Sequence, residues 1–205
     1  MVLSLDEGRT AVALAREAVD AHVRGEVIPP RRWPAAPFSE PRGVFVTLNT
    51  TGPSQERLRG CIGFPFPVKA LGDAIREAAV AAASEDPRFP PVTRGELGSL
   101  VVEVSVLTPP QDLVAPRRQD LPSKVRVGED GLIISDSRQS GLLLPQVATE
   151  FGMDSMEFLS QACMKAGLPP DSWLDGQTRV QVFQADVFGE AQPRGEAVRL
   201  DPRES

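Results

Sequence analysis

Proline sets the first limits on this chain. Pro29, Pro30, Pro34, Pro37 and Pro41 fall within 13 residues, and Pro87, Pro90 and Pro91 fall within five. Each proline fixes φ and removes a backbone donor, so neither stretch can be helix interior or central strand. The first stretch therefore reads as an extended arm over the surface with Trp33 and Phe38 as its anchors. The second, Asp86-Pro-Arg-Phe-Pro-Pro, stops whatever precedes it.

Regular elements fit between these limits. Ser4 with Glu7 is a capping box, followed at helical spacing by Val12, Ala15, Val19 and Val23 and closed by Gly25. Lys69 to Ser84 predicts a second helix, with Leu71, Ile75, Ala78, Ala79 and Ala82 on one face. Asp154 and Glu157 open a third, whose stripe runs through Phe158, Leu159, Ala162, Cys163 and Ala166 to Gly167. Strands are predicted at Val44–Leu48, Leu58–Ile62 after an Asn49–Pro53 turn, Leu100–Leu107, Val125–Val127, Leu132–Ile134 and Val180–Phe188, with a polar tail after residue 190. No regular β-α-β rhythm appears, so the expected class is α+β, an antiparallel sheet flanked by helices. A chain of 205 residues buries roughly 70% of its extended surface on folding, enough for a core without disulfides.

Several kinds of chemistry are short of material. There is one histidine, His22, and two cysteines, Cys61 and Cys163, with no metal-ligand or disulfide spacing, so no metal site is expected. A net charge of −6 argues against binding nucleic acid, and the acidic N-terminus without a long apolar run argues against a signal peptide or membrane span. A cytoplasmic setting with reduced thiols is expected. The most informative stretch is Leu-Arg-Gly-Cys-Ile-Gly at 58–63. Extended, it puts Arg59 and Cys61 on one face, where a guanidinium favours the thiolate, while Gly60 admits a ligand or another backbone. The plain alternative is a core thiol, the stronger reading for Cys163 on its helix stripe. Glu103 interrupts an otherwise apolar strand and must be paired, open into a cavity or face solvent. Asp86 and Arg88 sit in a proline-locked turn that suits either a ligand clamp or a local ion pair.

The order of segments resembles one family. Leu-Arg-Gly-Cys-Ile-Gly at 58–63, Asp-Pro-Arg-Phe-Pro-Pro at 86–91, Val-Glu-Val-Ser-Val-Leu-Thr-Pro-Pro at 102–110, Gly-Leu-Leu-Leu-Pro-Gln-Val-Ala at 141–148 and Phe-Leu-Ser-Gln-Ala-Cys-Met-Lys-Ala-Gly-Leu at 158–168 are similar to the AMMECR-type domain in its stand-alone prokaryotic form. The resemblance implies a single domain over residues 1–190, with two unequal lobes, a cleft between them and a polar tail at 191–205. It implies no settled reaction and leaves the cofactor unknown. An association with Memo-like and radical-SAM proteins comes with the family. By motif it transfers Arg59, Gly60, Cys61, Asp86, Arg88, Glu103, Ser105, Gln146 and Lys165 as site residues.

Two function classes fit these residues. One is a small-ligand protein or enzyme, with Arg59 holding an anion beside the positive end of the helix after Pro67, Cys61 as nucleophile or thiol contact, and Glu103 as acid or base. It carries the expectation of a depressed Cys61 pKa. The other is a binding or adaptor module for a peptide or partner protein, using Trp33, Phe38, Phe64 and Phe66 as an exposed patch.

Overall fold

The computed structural model describes residues 3–51 and 57–200. The chain forms two compact units. The first combines Met1–Leu107 with Asp186–Leu200, and the second is built from Thr108–Ala185.

In the first unit, helix α1 spans Leu5–Arg24, with the Ser4–Glu7 capping box in place and Gly25 closing it in the left-handed conformation. Strands β1 (Val44–Thr50) and β2 (Arg57–Phe64) are antiparallel neighbours, and β1 also pairs antiparallel with β3 (Leu100–Leu107). Part of the expected Asn49–Pro53 turn is strand, while Gly52 and Pro53 lie outside the described residues. Helix α2 spans Leu71–Ser84, two residues shorter at its start than expected. Burial alternates along β1: Val44, Val46 and Leu48 are fully buried, while Phe45, Thr47 and Asn49 are half-buried. The inward face joins Leu100, Val102, Val104 and Val106 of β3, Ala11, Ala15 and Val19 of α1, and Leu71, Ile75, Ala78 and Ala82 of α2 in one apolar cluster. The alanines on both helices allow them to lie close to each other and to the sheet.

The arm between residues 29 and 41 is fastened as its composition requires. Trp33 donates its indole N–H to Asp73 at 2.8 Å and meets Phe38 with ring centroids 6.0 Å apart, and both rings pack against the core cluster. The arm also serves α2, whose Leu71 and Gly72 N–H groups donate to the carbonyls of Glu40 and Phe38.

Three corrections to the expected order concern the later chain. The run Val180–Phe188 is two strands, β7 (Arg179–Phe183) and β8 (Ala185–Glu190), broken at Gln184, which exchanges hydrogen bonds with Thr108. The stretch after residue 190 includes a further strand, β9 (Ala197–Leu200), paired with β8, so it is not merely a tail. Residues 125–127 form no strand; they lead into a turn that Asp130 closes by accepting from the Arg126 backbone and guanidinium.

There are thus two sheets instead of one. The first has the order β2-β1-β3-β8-β9. The second unit's sheet has the order β4-β7-β5-β6, with β4 Gln111–Asp112, β5 Gly131–Ser135 and β6 Ser140–Leu143. Two helices complete that unit: α3 (Pro145–Glu150), which had no periodic signal, and α4 (Ser155–Lys165), opened by the Asp154–Glu157 capping box. The second core joins Leu132, Ile134 and Val180 to Phe158, Leu159, Cys163 and Trp173. The class is α+β, as expected.

Helix α2 and strand β2 approach closely at Gly60. A Cβ there would stand 2.1 Å from the Ala82 carbonyl oxygen, a contact that no backbone tolerates. Gly60→Ala is therefore expected to destabilise the fold by about 1–3 kcal/mol, read as a lower urea midpoint. Gly98→Ala, where a Cβ meets nothing within 4 Å, should leave the midpoint almost unchanged.

Candidate functional site

Register creates the central feature. With β1 between β2 and β3, Cys61 lies opposite Thr47, and Thr47 opposite Glu103; in the next row on the same face stand Gly63, Phe45 and Ser105. This face is the one turned away from α1 and α2, because it alternates with the buried Val44, Val46 and Leu48. Cys61 and Glu103 are two strand spacings apart, roughly 10 Å between backbones, with the Thr47 side chain between them. Glu103 is the one half-buried residue in a strand whose other seven are buried, and Ser105 is among those seven.

The Cys61 backbone N–H points away from β1 and donates to Asp86 Oδ2 at 2.8 Å. Cys61 and Thr47 are therefore a non-hydrogen-bonded antiparallel pair, the arrangement that brings side chains nearest. The Thr47 hydroxyl accordingly donates to Cys61 Sγ at 3.3 Å. Asp86 is almost fully buried and also accepts from the Arg88 backbone N–H at 3.1 Å and from its guanidinium at 3.0 and 2.7 Å. The Arg88 hydrogen bonds, helped by the Cys61 N–H, hold the Asp86 carboxyl well below the ordinary carboxylate range. Arg88 remains about half exposed, with its guanidinium 5.4 Å from the Phe89 ring centroid.

Arg59 does not accompany Cys61. Leu48 pairs with Gly60 but Asn49 with Leu58, so Arg59 is the extra residue of a β-bulge. A bulge re-aims the side chain it releases and breaks the alternation on which the expected shared face depended. The Arg59 guanidinium instead donates to Glu96 at 2.7 and 3.3 Å and to the carbonyls of Pro90 and Pro91 at 2.9 and 3.3 Å. It fastens β2 to the proline turn. Glu96 responds with a pKa lowered to about 2, chiefly through the Arg59 hydrogen bonds.

Two electrostatic expectations also change. The Cys61 pKa is raised by burial; the Thr47 hydroxyl and Arg88 pull it down, and Glu103 and Asp86 push it further up. At neutral pH Cys61 is a thiol, not a thiolate. Nor does the positive end of α2 serve this site. The Leu71 and Gly72 N–H groups are taken by the arm, and Gly60 packs at Ala82, beside the carbonyl-bearing end of the helix.

The remaining transferred residues belong to the second unit. Gln146 is the second residue of α3, and Lys165 is the exposed last residue of α4. Cys163 is fully buried in that unit's core, as its helix stripe implied. Phe64 packs on the first core with Trp33 and Phe38, leaving Phe66 as the one of the four aromatic residues that is exposed, so the exposed patch on which an adaptor relies is not formed by them. Sequence reasoning missed Thr47 and Glu96. Thr47 was legible only as the outward residue of β1, and Glu96 had no local signal beyond a capping box with Thr93. Among the described residues no group of three His, Cys, Asp or Glu side chains is arranged to hold a metal, and no helix is long and apolar enough to cross a membrane.

Comparison with known proteins agrees with the order of motifs. The AMMECR1 family model matches residues 12–188. A protein of Methanothermobacter thermautotrophicus is 55% identical over 92% of this chain and 96% of its own length, and one of Thermococcus gammatolerans is 53% identical over 95% of each. The crystal structure of uncharacterized protein PH0010 from Pyrococcus horikoshii superposes with a TM-score of 0.80 at 48% identity, covering 95% of this chain and 96% of that one.

The Arg59–Glu96 pair makes a pH prediction. The folded pKa of Glu96 lies near 2, below its usual 4.5. Its contribution is therefore present above about pH 4.5 and fades as the pH falls towards 2. Glu96→Gln should cost about 1–2 kcal/mol at pH 7, with wild type and variant converging near pH 2 in urea melts.

Proposed function

Given that the chain belongs to the AMMECR1 family, we propose that its first unit binds a small anionic ligand on the sheet face bearing Cys61, Thr47 and Glu103. Arg88, in place of Arg59, is the anion-holding group, and Cys61 acts as a protonated thiol contact. The observation that carries this reading is the shared Asp86 carboxylate. It accepts from the Cys61 N–H and from Arg88 at once, so a half-exposed guanidinium is fixed near a half-buried cysteine. Asp86 uses Nε and Nη2 of Arg88 and leaves Nη1 outside that pair. A preorganised, partly satisfied guanidinium is a suitable holder for a carboxylate or phosphate.

Binding is favoured over thiol catalysis by the same electrostatics. A nucleophilic Cys61 must give up its proton, and burial, Glu103 and Asp86 all oppose that. A thiol contact needs no ionisation.

Paired alkylation tests the reading. Iodoacetate carries a carboxylate and iodoacetamide does not, so the ratio of their rates at Cys61, compared with the ratio for glutathione, reports whether an anion is drawn in. The ratio at Cys61 should exceed that of glutathione and should fall by about fivefold in Arg88→Gln, the effect of roughly 1 kcal/mol from a close unit charge in high dielectric. Arg88→Lys should keep most of it. Peptide mass spectrometry serves as the readout, with Cys163 unlabelled until the chain unfolds. A ratio equal to that of glutathione in both wild type and Arg88→Gln defeats the proposal. A raised ratio that Arg88→Gln abolishes supports it, and mass spectrometry of compounds that co-purify with wild type but not with Arg88→Gln would in that case identify the ligand.

A further inference from the structure

Within the second unit, the chain between β6 and α4 folds around a concavity of about 350 Å³, lined by Leu143, Val147, Phe151, Met153, Gln161 and Lys165. Its walls follow from local structure. Leu143 ends β6, and Val147 lies on α3. Phe151 is the C-terminal cap of α3; Gly152, at φ 62°, turns the chain, and Met153 leads into the Asp154 cap of α4. Gln161 and Lys165 are four apart on α4 and so share one face. The end of α4 can approach β6 because residue 141 is glycine: a Cβ there would lie 2.3 Å from the Ala166 nitrogen.

Leu143, Val147 and Met153 pack against the second core on one side, yet Phe151 leaves 71% of its surface exposed. The two polar groups are also distinctive. Neither the Lys165 ammonium nor the Gln161 amide has a hydrogen-bond or ion-pair partner among the described residues. The nearest acid along the same helix face, Glu157, is committed to the capping box, where it accepts from the Asp154 N–H at 2.9 Å. An apolar hollow of this size with one cation and one amide at its wall has the make-up of a small-molecule site.

We propose that this concavity binds a small monocarboxylate with an apolar body, either a short acyl chain or a single ring. The apolar part lies against Leu143, Val147, Phe151 and Met153. The carboxylate pairs with Lys165 and accepts from the Gln161 amide. An amine of the same shape would set its charge against Lys165, and an alcohol would forgo the ion pair. This inference is independent of the anion site of the first unit.

The test uses the full chain labelled with methyl-¹³C methionine and titrated with sodium octanoate. Met153 lines the hollow, whereas Met156 and Met164 are exposed on α4 and do not. The Met153 methyl signal should move saturably while those of Met156 and Met164 stay in place, and octylamine should produce no saturable movement. Lys165→Gln should weaken octanoate binding by at least about tenfold, the loss expected for one charge-assisted contact. Phe151→Ala should weaken it too; both side chains are exposed, so both variants should fold. The proposal is overturned if octanoate fails to move Met153 saturably in the wild type. It is equally overturned if octylamine binds as well, or if Lys165→Gln binds octanoate as tightly as wild type.

Discussion

A buried carboxylate organises the first unit's outward face. Removing Asp86 from water is costly unless its lone pairs are filled, and four donors fill them: the Cys61 N–H and three groups of Arg88. Because β2 is the outermost strand of its sheet, the Cys61 N–H would otherwise be an open edge donor. Asp86 therefore closes an edge, fixes the turn after α2 and sets Arg88 in place with one set of bonds. The Thr47–Cys61 contact and the position of Arg88 relative to the sulfur both follow from it.

Much of the fold was legible because its signals are local. Ser4 with Glu7, and Asp154 with Glu157, announce helices within four residues, and the alternation of Leu100–Leu107 declares a strand by itself. The failures share a different cause. The bulge at Arg59 depends on Glu96, 37 positions away, and no window around 58–63 contains the partner that draws the side chain out of register. The split at Gln184 is likewise enforced by Thr108, from a distant part of the chain, although Val180–Phe188 reads as one apolar run.

The site followed the same division. Cys61, Glu103 and Ser105 share a face because register put them there, and their strands were recognisable. The sign of the electrostatics was not. An arginine near a cysteine in sequence suggested a stabilised thiolate, yet the nearer guanidinium belongs to Arg88, is shared with Asp86, and is outweighed by burial. Charge proximity in sequence carries no information about the solvation that competes with it.

The return of the chain in β8 and β9 applies the same physics to the other side of the sheet. Glu190, buried at the end of β8, accepts from Arg16 of α1 at 2.8 Å through Nε, pairs with its Nη2 as well, and accepts from the Val102 N–H at 3.1 Å. Arg16 also donates to the Leu100 carbonyl at 2.7 Å. One ion pair thus ties the last part of the unit to its first helix and to the central strand β3. Its cost is incomplete satisfaction: among the described residues the buried Arg16 Nη1 has no hydrogen-bond partner, and it lies 3.7 Å from Asp20. Such a pair stabilises the fold less than it specifies it, since any slip of β8 along β3 would leave Glu190 buried without Arg16. A polar stretch after residue 190 looks dispensable in sequence, yet Arg194 neutralises Asp20 at 2.7 Å, and Arg199 does the same for Asp186, whose other oxygen accepts from the Leu3 N–H. The charges that suggested a solvated tail are the groups that hold the end of the chain against its beginning.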